Sequence, residues 1–149
     1  MADEIAMEDA LALANLLRPV LLRLNRYLRY EAHDIGVTTI QTSLLAAIQR
    51  AEHIGLGELA EQEHISAPTL VNHIDKLEGA GFVERIRNCT NDRRRVELCI
   101  TEAGRTILQT LRERRTAWLA QRLEMLEPAQ RAAIAAAIGP LQELVKKGS

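Results

Sequence analysis

The chain has 149 residues, of which 47% are hydrophobic, 26% charged and 3% aromatic, and its formal net charge is -1. This composition excludes a disordered chain and is typical of one soluble globular domain, here spanning residues 1–149. No apolar run approaches the ~20 residues of a membrane-spanning helix, and the amino terminus is acidic where a secretory leader would be basic, so we expect a cytoplasmic protein.

Apolar residues at helical spacing predict two helices in the first third of the chain. The first should run from Ala10 to about His33. The second should be capped by Thr38 or Thr39 and end before Gly55. Its predicted buried face consists of Ile40, Leu44, Leu45 and Ile48.

Two short helices joined by a tight turn predict a helix-turn-helix unit. The first spans Leu56–Glu63, and Ser66 caps the second over Ala67–Gly79. The second helix has an apolar stripe that should pack on the first. In such a unit the second helix enters the major groove of DNA, and its residues off the stripe face the bases. The predicted stripe consists of Leu70, Ile74 and Leu77.

The face opposite this stripe holds groups that suit DNA. Asn72 can pair with an adenine edge, Thr69 can meet a thymine methyl group or a phosphate, and Lys76 supplies charge towards the backbone. His73 could instead pack under the following hairpin, and the whole face could simply be solvated. The predicted DNA contacts of this segment are Ser66, Ala67, Pro68, Thr69, Asn72, His73 and Lys76.

Alternating polarity in Phe82–Arg87 and Arg95–Ile100 predicts a β-hairpin. Five arginines lie within residues 85–95, around a polar turn. Arginines on a thin turn fit the narrow minor groove of DNA, and Asp92 could orient Arg94 by a charge-assisted hydrogen bond. A run of charge is usually a solvated loop, but its place directly after the candidate recognition helix favours DNA binding. We call this hairpin the wing, and its predicted DNA contacts are Arg87, Asn91, Asp92, Arg93, Arg94 and Arg95.

The long helices at both ends predict a dimer. Thr101 should cap the fifth helix, and Pro128 fits the first turn of the sixth. Their wide apolar stripes, with that of the first helix, would expose a large patch in a monomer. We therefore expect a homodimer formed through residues 10–33 and 101–146, with residues 38–100 as the DNA-binding lobe. The predicted fold is mainly α with a small β-hairpin, a winged helix-turn-helix with long terminal dimerisation helices.

The sequence resembles the MarR family of regulators from about Ala10 to Lys146. The resemblance implies a homodimer whose terminal helices intertwine and which binds a pseudo-palindromic operator in double-stranded DNA, usually as a repressor. Asn72 stands where many relatives have arginine, so the operator sequence cannot be taken from a relative. The similar segments are Ser66–Thr69, Asp75–Arg85, Asp92–Arg95, Leu98 and Thr101–Gly104.

The resemblance also implies control by a small aromatic or lipophilic effector that enters a cleft beside the DNA-binding lobe. Tyr30, His33 and Thr42 could be polar points of such a cleft between the first, second and fifth helices, and roles in the core or in caps are the alternative. A thiol-sensing branch of the family has a cysteine near the start of the first helix, and this chain has none there.

Nothing in the sequence predicts an enzyme or a cofactor. The four histidines are scattered, and Cys89 and Cys99 are too few for a disulfide framework or a zinc site, so a metal sensor is the lesser possibility. No nucleophile-elbow, P-loop or Rossmann glycine pattern occurs. The competing class is a helical interaction protein that kept the fold and lost DNA binding, and the arginine-rich hairpin favours the DNA-binding regulator.

Overall fold

The computed structural model describes residues 9–31, 35–87 and 96–146. The predicted fold class is confirmed: the described chain is mostly helical and has a small antiparallel sheet. Among these residues, no helix is long and apolar enough to span a membrane. The elements in chain order are α1 (Ala10–Tyr30), α2 (Thr39–Arg50), β1 (Ile54–Gly55), α3 (Leu56–Gln62), α4 (Ala67–Gly79), β2 (Val83–Arg87), β3 (Val96–Ile100), α5 (Glu102–Glu124) and α6 (Pro128–Val145).

Hydroxyl side chains cap three of the helices where the sequence predicts them. Thr38 accepts a hydrogen bond from the amide of Gln41 at 3.2 Å, and the Gln41 side chain accepts one from the Thr38 amide at 3.0 Å, which completes a capping box. Ser66 caps α4 and Thr101 caps α5 by accepting from the amide three residues later. These contacts satisfy backbone donors that a helix leaves unpaired at its start.

The buried face of α2 differs from the prediction at its first turn. Ile40, predicted to be buried, has 48% of its surface exposed, whereas Gln41 and Thr42 are buried. The buried stripe therefore starts at Gln41, and its later members follow at i+3, i+4 and i+7. Ile40 is four residues before Leu44 and so lies about 40° from it around the helix; its exposure shows that at the first turn the core covers the Gln41 side of the stripe and not the Ile40 side. The remaining stripe residues are Leu44, Leu45 and Ile48.

The predicted hairpin is confirmed, but it belongs to a three-stranded sheet in the order β1-β3-β2. Strands β2 and β3 pair in antiparallel fashion from Val83 opposite Ile100 to Arg87 opposite Val96. Strand β1, which the sequence did not predict, places Ile54 opposite Leu98. The sheet thus joins the segment before α3 to the far strand of the hairpin.

The hydrophobic core lies between α2, the helix-turn-helix and the sheet, and α5 extends it. Leu45, Leu59, Ile74 and Leu98 have no exposed surface, and Leu111 of α5 is also buried. In contrast, α1 and α6 contain no buried residue in the single chain. Helices α1 and α6 therefore contribute little to the core of the single chain.

Candidate nucleic-acid interface

Helix α4 has one buried face and one exposed face, as the sequence predicts. Its stripe of Leu70, Ile74 and Leu77 is buried in the core. Because α4 packs against α3 through this stripe, its opposite side is open to solvent. The exposed residues among the predicted DNA contacts are Ser66, Ala67, Pro68, Thr69, Asn72 and Lys76.

The first turn of α4 is fixed by its own side chains. The hydroxyl groups of Ser66 and Thr69 lie 2.7 Å apart, and the Thr69 amide donates to the Ser66 hydroxyl at 3.4 Å. Pro68 occupies the start of the helix, where its missing N–H costs no hydrogen bond. Contacts within the helix therefore fix the first turn of α4.

His73 differs from the other predicted contacts because it is half-buried. Its Nδ1 atom is buried and has no hydrogen-bond partner among the described residues. His73 is therefore less exposed than Asn72 and Lys76 on the same helix, and its packing under the hairpin stays a prediction.

The wing is described at its base only. Arg87 is exposed at the end of β2, opposite Val96. The predicted tip contacts lie outside the described residues, so their placement stays a prediction. These are Asn91, Asp92, Arg93, Arg94 and Arg95.

Arg85 is the first of the five arginines in residues 85–95, it was not among the predicted wing contacts, and its side chain is directed to α4. Its Nη2 atom lies 2.6 Å from Oδ1 of Asp75, and its Nη1 atom lies 3.2 Å from Oε1 of Glu78. Both acids are on α4. The charge of Arg85 is thus paired within the chain, between β2 and α4.

A second polar cluster lies on the other side of the sheet and was missed by sequence reasoning. The Nδ1 atom of His53 lies 3.0 Å from Oε2 of the buried Glu97 and 3.6 Å from the Sγ atom of Cys99. His53 has a left-handed backbone, with φ of 63°. The cluster ties the residue before β1 to β3. Among the described residues, no group of three or more histidine, cysteine or acidic side chains is arranged to hold a metal ion.

Two of the three residues predicted for an effector cleft, Tyr30 and Thr42, lie among the described residues. The hydroxyl of Thr42 donates to the Thr38 carbonyl at 3.0 Å within α2, Tyr30 is exposed at the end of α1, and His33 lies outside the described residues. An apolar groove of about 420 Å³ instead lies between α1 and α5, and Tyr30 and Thr42 do not line it. Its walls are Val20, Arg23, Leu24, Tyr27, Trp118 and Arg122.

Aromatic stacking forms the floor of this groove. The rings of Tyr27 and Trp118 stack with centroids 5.7 Å apart, and the guanidinium carbon of Arg122 lies 5.3 Å from the centroid of the Trp118 ring. Arg115 adds a hydrogen bond from Nε to the carbonyl of Leu28 at 3.3 Å. These contacts attach the end of α1 to the middle of α5.

Comparison with known proteins places this arrangement in a family. The family model described as MarR matches residues 37–96, which run from just before α2 to the first residue of β3. An uncharacterized HTH-type transcriptional regulator of Mycobacterium bovis is 31% identical over 119 residues, which is 80% of this chain and 82% of the relative. The chain belongs to the MarR family.

Solved structures extend the likeness of this MarR-family protein to its terminal helices. A protein from Pseudomonas aeruginosa, described as a transcriptional regulator, superposes with a TM-score of 0.82 at 30% identity over 93% of this chain and 96% of that chain. A mutant of MepR from S. aureus, bound to an oligodeoxyribonucleotide, has a TM-score of 0.71 at 14% identity over 89% of this chain and 97% of its own. The second likeness concerns the fold alone.

Proposed function

We propose that this MarR-family protein is a dimeric regulator that binds a pseudo-palindromic operator in double-stranded DNA, with α4 in the major groove and the wing in the minor groove. The observation that supports this best is the two-faced α4, whose stripe is buried while Thr69, Asn72 and Lys76 are exposed. An exposed, internally capped helix directly before a basic hairpin is the geometry of a winged helix-turn-helix reader. The solved complex of MepR with an oligodeoxyribonucleotide lends support through the shared fold.

Within α4, we assign base discrimination to Asn72 and backbone attraction to Lys76. A carboxamide can donate to and accept from an adenine edge at once, whereas an ammonium group recognises phosphate as a point charge. Ser66, Ala67, Pro68 and Thr69 would bring the first turn of α4 close to the groove.

The wing would supply the positive charge for the contact with the minor groove. The net charge of the chain is -1, so attraction to DNA has to come from a local concentration of positive charge. Arg93, Arg94 and Arg95 in the wing supply that concentration, with Arg87 at its base. A narrow minor groove, with its enhanced negative potential, is the fitting partner for such a tip.

We also propose that the active form is an obligate homodimer assembled through α1, α5 and α6. Large apolar side chains are exposed on the terminal helices of one subunit, such as Leu11 at 69%, Leu22 at 63% and Leu144 at 71%. Covering these surfaces should bury roughly 2,000 Å² or more in total. The two copies of α4 should then reach a spacing of about 34 Å, one turn of B-DNA. Sedimentation at nanomolar concentration tests this, and a stable folded monomer would contradict it.

Operator binding itself is tested by fluorescence anisotropy. The labelled probe is the DNA upstream of the protein's own gene, and a scrambled duplex of the same length is the control. We expect tighter binding to the upstream DNA at physiological salt. Equal binding to both would favour the competing function, a helical interaction protein that no longer reads DNA.

We further propose that the protein represses transcription and that a small aromatic or lipophilic effector releases it from the operator. Tyr30, His33 and Thr42 remain the predicted polar points of the effector site. A transcription assay on an operator-containing promoter tests repression. A thermal-shift screen of aromatic acids tests the effector, and compounds that neither stabilise the protein nor weaken operator binding would remove that part of the proposal.

A further inference from the structure

Arg85 lies where the recognition helix meets the wing. It is the middle residue of β2, and its main chain is opposite Leu98 of β3. Its side chain reaches back to two acids on α4 that are one helical turn apart, Asp75 and Glu78. We infer that Arg85 is a positioning residue that holds α4 and the wing at one fixed angle, so that both engage DNA together. This inference rests on the proposed function.

The ion pairs of Arg85 with Asp75 and Glu78, called the clamp below, have the geometry that this role requires. The two nitrogens at the end of the guanidinium bond to different carboxylates, at 2.6 Å and 3.2 Å, so the side chain spans the turn between Asp75 and Glu78. A planar fork with fixed donors restricts orientation in a way that a single ammonium charge cannot. The Arg85 side chain is 28% exposed, against 57% for Asp75 and 40% for Glu78, so its charge is partly withdrawn from water.

The clamp is not needed to keep the two elements in contact. Leu77 and Val83 are both buried in the core, and the amide of Phe82 donates to the carbonyl of Leu77 at 2.9 Å. Partly exposed ion pairs add little to the free energy of unfolding. Apolar packing still permits a small change in the angle between α4 and the β2–β3 hairpin. A binding surface that is misplaced by about 1 Å no longer fits its target. The clamp restricts that angle.

Replacing the two acids has opposite expected effects on DNA binding under a pure charge effect and under the clamp. Asp75 and Glu78 flank Lys76 on the helix that is proposed to meet DNA, and their carboxylates oppose a phosphate backbone. If charge alone mattered, replacing them with amides would tighten binding. If they act as the anchor of Arg85, the same replacement weakens operator binding. The sign of this effect therefore distinguishes the clamp from a pure charge effect.

The experiment compares Arg85→Met, the double variant Asp75→Asn with Glu78→Gln, and the triple variant that combines them. Operator and scrambled duplexes are titrated at two salt concentrations, and circular dichroism melts establish that each protein is folded at the assay temperature. We expect Arg85→Met and the double variant each to weaken operator binding about tenfold, and the triple variant to be no weaker than either, because both changes open the same clamp. The ratio of operator to scrambled affinity should fall in all three.

Two control variants separate the geometry of Arg85 from its charge. Arg50→Met makes the same change of charge at the exposed end of α2, and we expect less than about a twofold effect on operator binding. Arg85→Lys keeps the charge but cannot bridge both acids, so it should behave more like Arg85→Met than like the wild type.

The outcomes are distinct. If the wild type shows no preference for operator, the proposed function fails, and the clamp fails with it. If the wild type prefers operator but the double variant binds it more tightly, or Arg85→Lys matches the wild type, Arg85 acts by charge and the clamp alone is overturned. Variants that have unfolded at the assay temperature would make Arg85 a stability element, which also overturns the inference.

Discussion

Replacing Gly104 with alanine tests how closely α5 must approach the base of the hairpin. Gly104 is buried in the first turn of α5, and its amide donates to the capping hydroxyl of Thr101 at 3.1 Å. An added Cβ atom would lie 2.3 Å from the carbonyl oxygen of Phe82 and 2.7 Å from Cγ1 of Ile100. Both distances are far inside the ~3.5 Å at which non-bonded heavy atoms normally touch, so the backbone or a core side chain has to move.

The Phe82 carbonyl has little freedom to give way. It accepts a hydrogen bond from the amide of Thr101 at 3.0 Å, and the Thr101 hydroxyl donates to the neighbouring carbonyl of Gly81 at 2.6 Å. Overpacking of this kind costs about 1–3 kcal/mol, and alanine regains about 1 kcal/mol of helix propensity over glycine. Since a hydrogen-bonded carbonyl is displaced, we take the upper end of the cost and expect a net loss of about 2 kcal/mol in the free energy of unfolding.

Gly57→Ala is the matched control, because an added Cβ there has nothing within 4 Å. Its free energy of unfolding should stay unchanged or rise by up to about 1 kcal/mol. Urea denaturation at one fixed protein concentration measures both variants, since the stability of a dimer depends on concentration. A Gly104→Ala protein as stable as the wild type would refute the close approach of α5 to the hairpin.

Three further predictions concern the elements that hold the site. Ile74→Ala should lower the free energy of unfolding by about 2–5 kcal/mol, because Ile74 has no exposed surface. The control Val71→Ala, on the exposed side of α4, should change it by only about 0.5 kcal/mol, and equal effects in denaturation would mean that the buried face of α4 is misassigned. Thr38→Ala removes half of the capping box of α2 and should cost about 1 kcal/mol, while Thr38→Ser should cost less, and a stable alanine variant would contradict the cap. Tyr27→Ala removes the ring stacked on Trp118, the chain's one tryptophan, and should shift the tryptophan fluorescence emission to longer wavelength. The control Tyr30→Ala should leave this emission unchanged, and matching spectra for both variants would contradict the stack.

The parts of the fold that depend on near neighbours in sequence could be predicted. Thr38, Ser66 and Thr101 are caps because each hydroxyl meets an amide three residues later, so residue type and local order are sufficient. The exposed face of α4 follows as the complement of its apolar stripe. Strand β1 could not be predicted, because a two-residue strand has no periodicity of its own and is defined by pairing with Leu98 far along the chain.

The exposed residues of α4 could be predicted from the sequence, whereas the ion pairs beside them could not. Arg85 is close in sequence to the predicted wing arginines, but its partners are the acids that the fold brings to it from α4. His53 and Glu97 meet only because β1 pairs with β3. Contacts of this kind are set by topology, so residue spacing along the chain does not reveal them.

The assignment of base discrimination to α4 and of charge to the wing is tested most directly by two variants titrated side by side. Asn72→Ala and Arg94→Ala are compared on operator and scrambled DNA at two salt concentrations. Asn72→Ala should lose about 1–3 kcal/mol of discrimination at one base pair and leave binding to scrambled DNA unchanged. Arg94→Ala should weaken binding to both duplexes and reduce the salt slope by about 0.9 for each phosphate that the arginine no longer neutralises. Identical profiles for the two variants would contradict the assignment.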